Sequence, residues 1–240
     1  MDRSFRAVIR RAGKAVADHR MIGEGDRIAI GLSGGKDSLT LLHCLLHLRK
    51  VAPIRFEIAA VTISLGWDTD FSRIARHCGE AGVPFHLEET QIGPIVLEAR
   101  REQNPCSLCA NMKRGALHAA AARLGCNKVA LAHHLDDAVE TLLMNVLFSG
   151  RAGTFSPVTY MSRRDITVIR PLVYCAEGLI RAAAESLGLP VISSECPVAG
   201  ATSRETVKGL LSAVRAKNPR VDESMLSAMK GIWGARVSGR

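Results

Sequence analysis

Three short stretches concentrate side chains able to do chemistry. The first, Gly31-Leu32-Ser33-Gly34-Gly35-Lys36-Asp37-Ser38, follows the apolar run Ile28-Ala29-Ile30. Its paired glycines let the backbone turn sharply and present bare N–H groups to an anion. Ser33 and Ser38 add hydroxyl donors, Lys36 adds a cation, and a helix starting near Ser38 adds the positive end of its dipole. A Walker A loop needs four residues between its first Gly and the Gly-Lys pair, with Ser or Thr straight after the Lys. Here Gly31 is too close, and Asp37 stands where the hydroxyl belongs. A carboxylate repels phosphate, so Asp37 is expected to hold Mg²⁺, which prefers carboxylate oxygen. The alternative is a plain Gly-rich strand-to-helix turn capped by polar residues.

In the second stretch, Ala132-His133-His134-Leu135-Asp136-Asp137, two acids open a helix after a strand. Acids favour helix N-termini as caps, yet one of the two is also able to face a metal. Asp37 together with Asp136 or Asp137 is therefore the expected Mg²⁺ seat. Adjacent histidines at a strand end point opposite ways, which favours packing over zinc ligation for His133 and His134.

The third stretch is Cys106-Ser107-Leu108-Cys109. This spacing lets two thiolates reach one metal or form a redox disulfide. A four-cysteine zinc site would need a second pair, and the sequence has only a lone Cys196 before Pro197. Three cysteines on one iron–sulfur cluster leave an iron without a protein ligand, open to sulfide or substrate, whereas full ligation suits electron transfer. On spacing alone, a zinc or redox pair at Cys106 and Cys109 and a core thiol at Cys196 stay open. Cys44, Cys78 and Cys126 read as packing residues. Cys175 does too, with persulfide carriage as its alternative role.

Alternating strands and helices must position these stretches. A helix over 2–20 places Phe5, Val8, Ile9, Ala12 and Val16 on one face, with Arg3, Arg6, Arg10, Arg11 and Lys14 largely opposite. Strands are expected at 26–32, 56–64, 84–87, 128–132 and 166–170. Helices are expected at 38–50, 70–81, 113–124, 135–148, 176–187, 201–216 and 221–233. The pattern predicts an α/β fold, a doubly wound parallel sheet with helices on both faces, forming one domain over 1–240. Ligands of such sheets bind at the carboxyl ends of strands near a switch in strand order. Ser33-Gly34-Gly35 and His133-His134 both fall at strand ends, so they should share one crevice.

Composition narrows the partners. The net charge is +9, which favours a polyanion such as nucleic acid. Arg100-Arg101, Lys113-Arg114 and Arg163-Arg164 add basic pairs to the first helix, and Arg114 and Arg170 adjoin the site motifs. Contacts of this kind position RNA by its phosphates without reading sequence. Two Trp and two Tyr make a broad stacking platform improbable, so recognition by shape and by an extruded base is expected. Seven cysteines, an odd number, in a chain with no export signal or membrane-length apolar run suggest reduced thiols in the cytoplasm.

The Ser33–Ser38 loop resembles the SGGxDS loop of the PP-loop ATP pyrophosphatases, and His133-His134-x-Asp136-Asp137 resembles their second motif. That resemblance implies ATP and Mg²⁺ as cofactors, a grip on pyrophosphate and an adenylated intermediate. The order of the glycine loop, Cys-x-x-Cys, His-His-x-Asp-Asp, Arg170-Pro171-Leu172 and a lone Cys-Pro is similar to the tRNA 2-thiocytidine synthetase (TtcA) family and its thiouridine-forming relatives, in a compact subgroup. The resemblance spans about residues 5 to 215. It implies a 4Fe–4S cluster on Cys106, Cys109 and Cys196, tRNA as substrate, and a cysteine desulfurase or other sulfide donor as partner, with a homodimer as a compatible assembly. Ser33, Gly34, Gly35, Lys36 and Ser38 would hold phosphate, and catalysis would fall to Lys36, Asp37 and Asp137. The competing readings are a PP-loop ligase that attaches an amine, as lysidine synthetases do, and a cluster-bearing RNA-binding or redox-sensing protein.

Overall fold

In the computed structural model, which describes residues 2–99, 105–192 and 203–238, the apolar run Ile28 to Ile30 lies in the middle of a six-stranded sheet. The chain runs α1 (Arg3–Asp18), β1 (Asp26–Gly31), α2 (Lys36–Val51), β2 (Phe56–Ile63), α3 (Ser72–Glu80) and β3 (Phe85–Glu88). A short α4 (Ile92–Pro94) continues into a π-helical turn, Ile95–Ala99, and is followed by α5 (Pro105–Arg123), β4 (Lys128–Ala130) and α6 (Leu135–Ser149). Next come the hairpin β5 (Val158–Met161) and β6 (Ile166–Ile169), a 3-10 turn at Pro171–Tyr174, and helices α7 (Glu177–Ser186), α8 (Ser203–Lys217) and α9 (Val221–Ser238).

The strand order is β3-β2-β1-β4-β6-β5, parallel except where β5 meets β6. The chain moves outward from β1 on one side and resumes at β4 on the other. The switch point therefore lies between β1 and β4, where a crevice opens at the strand ends. Side chains alternate across the strands. Ile28 and Ile30 face a core shared with Leu41, Leu42, Leu45 and Val8, while Ala29, Val61 and Val129 face Leu117, Ala120 and Ala121 of α5. Burial on both sheet faces explains why β1 reads as a continuous apolar run. Gly31 allows α5 to approach closely, since a Cβ there would lie 2.9 Å from Leu117 Cδ2.

In α1, Phe5, Val8, Ala12 and Ala15 are buried and the five basic residues are exposed. The structure departs from sequence expectation in two places. Helix α5 begins at Pro105 rather than near 113, so Cys106 and Cys109 lie in its first turn and a half instead of before it. Proline suits the first helical position because its φ is preset and its missing N–H has no intrahelical partner to lose. The edge strand β5 pairs antiparallel to β6 around a turn at Arg163-Arg164-Asp165, so the sheet is not wholly parallel. Among the described residues no helix is long and apolar enough to cross a membrane.

Candidate active site

β1 hands over to the glycine loop without slack. Leu32 N–H still bonds to Val61 O at 2.9 Å, and Leu32 O accepts from Thr62 Oγ1 at 2.6 Å. Gly34 then takes φ +82°, in the left-handed region, and a side chain there would strike Ile192, whose N–H bonds back to Gly34 O at 3.0 Å. Gly35 occupies the N-cap position of α2 with no side-chain cap, which leaves the first amides of that helix to another acceptor. Ser33 Oγ donates to Ser38 Oγ at 3.2 Å, and Ser38 Oγ to Gly35 O at 3.0 Å.

The loop borders a cleft of about 620 Å³ at the carboxyl ends of β1 and β4, a volume in the range of small-molecule sites. Ser33, Asp37, Ser38, His133 and Asp137 all line it, together with Lys113, Arg114 and Arg204. Asp37 Oδ2 accepts from Lys36 Nζ at 3.2 Å, whereas Oδ1 is buried with no hydrogen-bond partner. Such an orphaned carboxylate oxygen is costly, and a divalent cation is the group that would satisfy it. Asp137 faces the same cleft. Its Oδ2 accepts from His134 N–H at 3.0 Å while the His134 ring caps Asp137 N–H, a reciprocal box that starts α6. Asp137 thus caps the helix and presents a carboxylate to the cleft at once.

Asp136 goes elsewhere. It is buried, accepting from Glu177 N–H at 2.6 Å and from Arg215 Nη2 at 2.5 Å. Lys36 is not among the lining residues, for Nζ lies 2.9 Å from Glu177 Oε1 as well as 3.2 Å from Asp37. The Lys36 hydrogen bond holds the Glu177 carboxyl down at about 2. His133 packs its ring 5.1 Å from Phe155, and burial keeps it neutral with a pKa near 4. Arg170 sits over Phe155 at 5.1 Å and donates to Ser156 O at 2.6 Å, so it supports the wall from behind instead of reaching the cleft.

Sequence reasoning did not single out Glu177, Arg204 and Trp67. Arg204 Nε lies 3.2 Å from the buried Glu140 and its Nη1 lies 3.7 Å from Asp137, joining α8 to the cleft-facing acid. Nothing local in the sequence marks these pairings, since each joins segments dozens of residues apart.

Beside the cleft is a second cavity of about 240 Å³, lined by Cys106, Cys109, Val96, Leu97 and Pro105. Cys106 is exposed and Cys109 half-buried. Two thiols one turn apart beside an apolar cavity suit a soft metal centre. Cys196, the third expected ligand, lies outside the described residues, as do Arg100 and Arg101. Cys175 is buried against α1, with Sγ 3.7 Å from Val8 O and burial pushing its thiol up to about 12. It is a packing residue away from both cavities.

Residues 6–198 match the PP-loop domain family. The tRNA-cytidine(32) 2-sulfurtransferase of Geobacter sulfurreducens is 44% identical over 232 residues, 95% of this chain and 90% of that protein. The protein of the same name from Pelobacter propionicus is 46% identical over 232 residues, 95% of this chain and 86% of its own. Among solved structures, the U34-tRNA thiolase NcsA from Methanococcus maripaludis with its 4Fe–4S cluster has a TM-score of 0.81 at 22% identity, covering 96% of this chain and 80% of that one. NAD+ synthetase from Burkholderia pseudomallei shares the core with a TM-score of 0.51 at 17% identity, covering 96% and 92%. At those identities the likeness is one of fold.

Proposed function

Since the chain belongs to the PP-loop family and, within it, to the tRNA-cytidine(32) 2-sulfurtransferases, we propose that it uses ATP to exchange the C2 oxygen of a tRNA pyrimidine for sulfur. The target is cytidine 32, the nucleotide in its relatives' name. The observation that carries this reading is the adjacency of the two cavities. A cleft with the Asp37 and Asp137 carboxylates shares a wall with a smaller space holding Cys106 and Cys109.

The chemistry needs both. The C2 oxygen is a poor leaving group until it attacks the α-phosphorus, breaking the α–β bridge and releasing pyrophosphate. Hydrosulfide then bonds to C2, AMP departs with the former carbonyl oxygen, and the hydrosulfide proton passes to the phosphate products. No net electron transfer occurs. The amides of Gly34 and Gly35, the Ser33 and Ser38 hydroxyls and the N-terminus of α2 receive the pyrophosphate as its charge develops. Lys36 supports them with a cation held against Glu177 and Asp37. Asp37 and Asp137 hold Mg²⁺, which neutralises phosphate charge when bound. Cys106 and Cys109, with Cys196, would hold a 4Fe–4S cluster, which when bound would supply affinity for soft sulfur. The sulfur comes from a cysteine desulfurase or other sulfide donor, and the enzyme works in the cytoplasm, a reading supported by an odd number of cysteines with no disulfide framework of spacings.

Anaerobic protein with ATP, sulfide and tRNA should yield AMP together with 2-thiocytidine on nucleoside mass spectrometry. Asp37→Asn should abolish AMP formation and leave iron content unchanged. Unchanged turnover in that variant removes Asp37 from the site, and an amine adduct in place of thiocytidine turns the reading to a ligase.

A further inference from the structure

Adenylation and sulfur transfer act on adjacent atoms of one base, the C2 oxygen and C2. That base must lie where the nucleotide cleft meets the cysteine cavity. Among the described residues four line both: Leu65, Trp67, Ala110 and Lys113. Trp67 is the one with an aromatic face, and it is built into place. A Cβ on Gly93 would fall 2.6 Å from Trp67 Cε2, 2.7 Å from Cζ2 and 2.8 Å from Nε1. With the ring-fusion carbon nearest of the three, Gly93 lies over the indole face, because an in-plane approach would meet Nε1 or Cζ2 first. One face therefore rests on the Gly93 backbone, and the rest of the half-buried ring is left to the two cavities.

The loop carrying Trp67 is pinned. Gly93 N–H bonds to Leu65 O at 2.7 Å, Thr90 Oγ1 to Ser64 O at 2.6 Å, and Thr69 N–H to Trp67 O at 2.8 Å. Gly66 has φ +87°, and any side chain there would come within 2.8 Å of Thr90 O. A flat ring fixed at the junction, beside the Lys113 cation, suits an extruded base, which is commonly read by stacking on an aromatic side chain.

We propose that Trp67 stacks on the extruded pyrimidine and is a specificity-determining residue that sets the base between the α-phosphate of ATP and the sulfur. This rests on the thiolation reading above. Trp67→Leu keeps apolar bulk and loses the extended π-face. It should lower kcat/KM for tRNA roughly tenfold or more, the scale on which base–aromatic stacking acts, with ATP affinity and iron content at wild-type levels. Trp67→Phe should recover much of the loss. Gly93→Ala, which pushes the indole off its seat, should reproduce Trp67→Leu. The chain has two tryptophans, and the other, Trp233, is buried with Nε1 donating to Phe155 O at 2.9 Å. In a Trp233→Phe background, emission from Trp67 should therefore fall on adding the tRNA anticodon stem-loop and hold steady on adding ATP alone. Wild-type kcat/KM in Trp67→Leu overturns the proposal. Parallel loss of ATP affinity or iron also overturns it and makes Trp67 a wall of the nucleotide or cysteine cavity. If wild-type protein itself leaves tRNA unthiolated, the failure is that of the thiolation reading, and the stacking role falls with it.

Discussion

Asp136 and Asp137 are neighbours in sequence yet stand about 100° apart around α6, as 3.6 residues per turn requires. One of them must therefore turn from whatever the other faces. Asp137 meets the cleft, and Asp136 ties the start of α7 to Arg215 on α8. Their loss should separate cleanly. Asp136→Ala leaves Glu177 N–H unmet and Arg215 with Asp222 alone, and should cost about 1.5–3 kcal/mol in urea unfolding. Asp137→Ala should cost closer to ~1 kcal/mol, the worth of a helix cap, while abolishing tRNA-dependent pyrophosphate release. Equal stability losses in the two variants would mean that both carboxylates are structural. The sequence announced a pair of acids at a helix start and left open which one faces the cleft. That choice is made by Arg215, 79 positions away, and such a contact has no local signature. Asp37 was more legible as a cleft residue, because it follows directly on the glycine turn at the end of β1.

Elements whose apolar spacing serves only the core could be placed from the sequence to within a residue or two, β1 and α2 among them. The misjudged start of α5 is informative. Its first turns carry Cys106, Cys109 and Lys113 where a core-facing stripe would otherwise run, and these side chains line a cavity. Facing a cavity instead of the core removed the periodicity that would have marked the helix. The edge strand β5 was missed for a different reason, being four residues long and half exposed. Helix α8 is fixed to α6 by charge as well as by Val207 and Leu211. Arg204 meets Glu140, whose carboxyl is raised by burial, and Arg215 meets Asp136 and Asp222. Removing a partner from a buried acid is worse than removing both. Arg204→Ala should thus destabilise by about 1–3 kcal/mol and speed amide exchange in α8. Arg204→Ala combined with Glu140→Gln should regain much of that loss, as read by a double-mutant cycle. Strict additivity of the two substitutions would show that the pair contributes nothing to holding α8.

At the scale of the whole molecule, two apolar layers against one sheet build a crevice, and the sequence as a whole carries a surplus of nine positive charges. The crevice supplies chemistry on one base, while holding the rest of a tRNA falls to contacts that carry little sequence information. The basic groups are divided between the cleft, with Lys113, Arg114 and Arg204, and outlying surfaces, with the exposed face of α1 and the Arg163-Arg164 turn. Arg164 Nη1 also donates to Gly115 O at 3.1 Å, which fixes that turn against α5. If these groups neutralise RNA phosphates, each contact releases condensed counterions, and log affinity falls linearly with log salt at roughly 0.7–0.9 per phosphate. Three or four such contacts weaken binding roughly 20- to 150-fold between 50 and 200 mM monovalent salt. Fluorescence anisotropy of labelled tRNA across that range should show this slope. The Arg163→Gln, Arg164→Gln double variant should lower it by about one to two contacts, with ATP affinity unchanged. A slope near zero in the wild-type protein would make the positive surface a solvated one and leave tRNA recognition to the cleft alone.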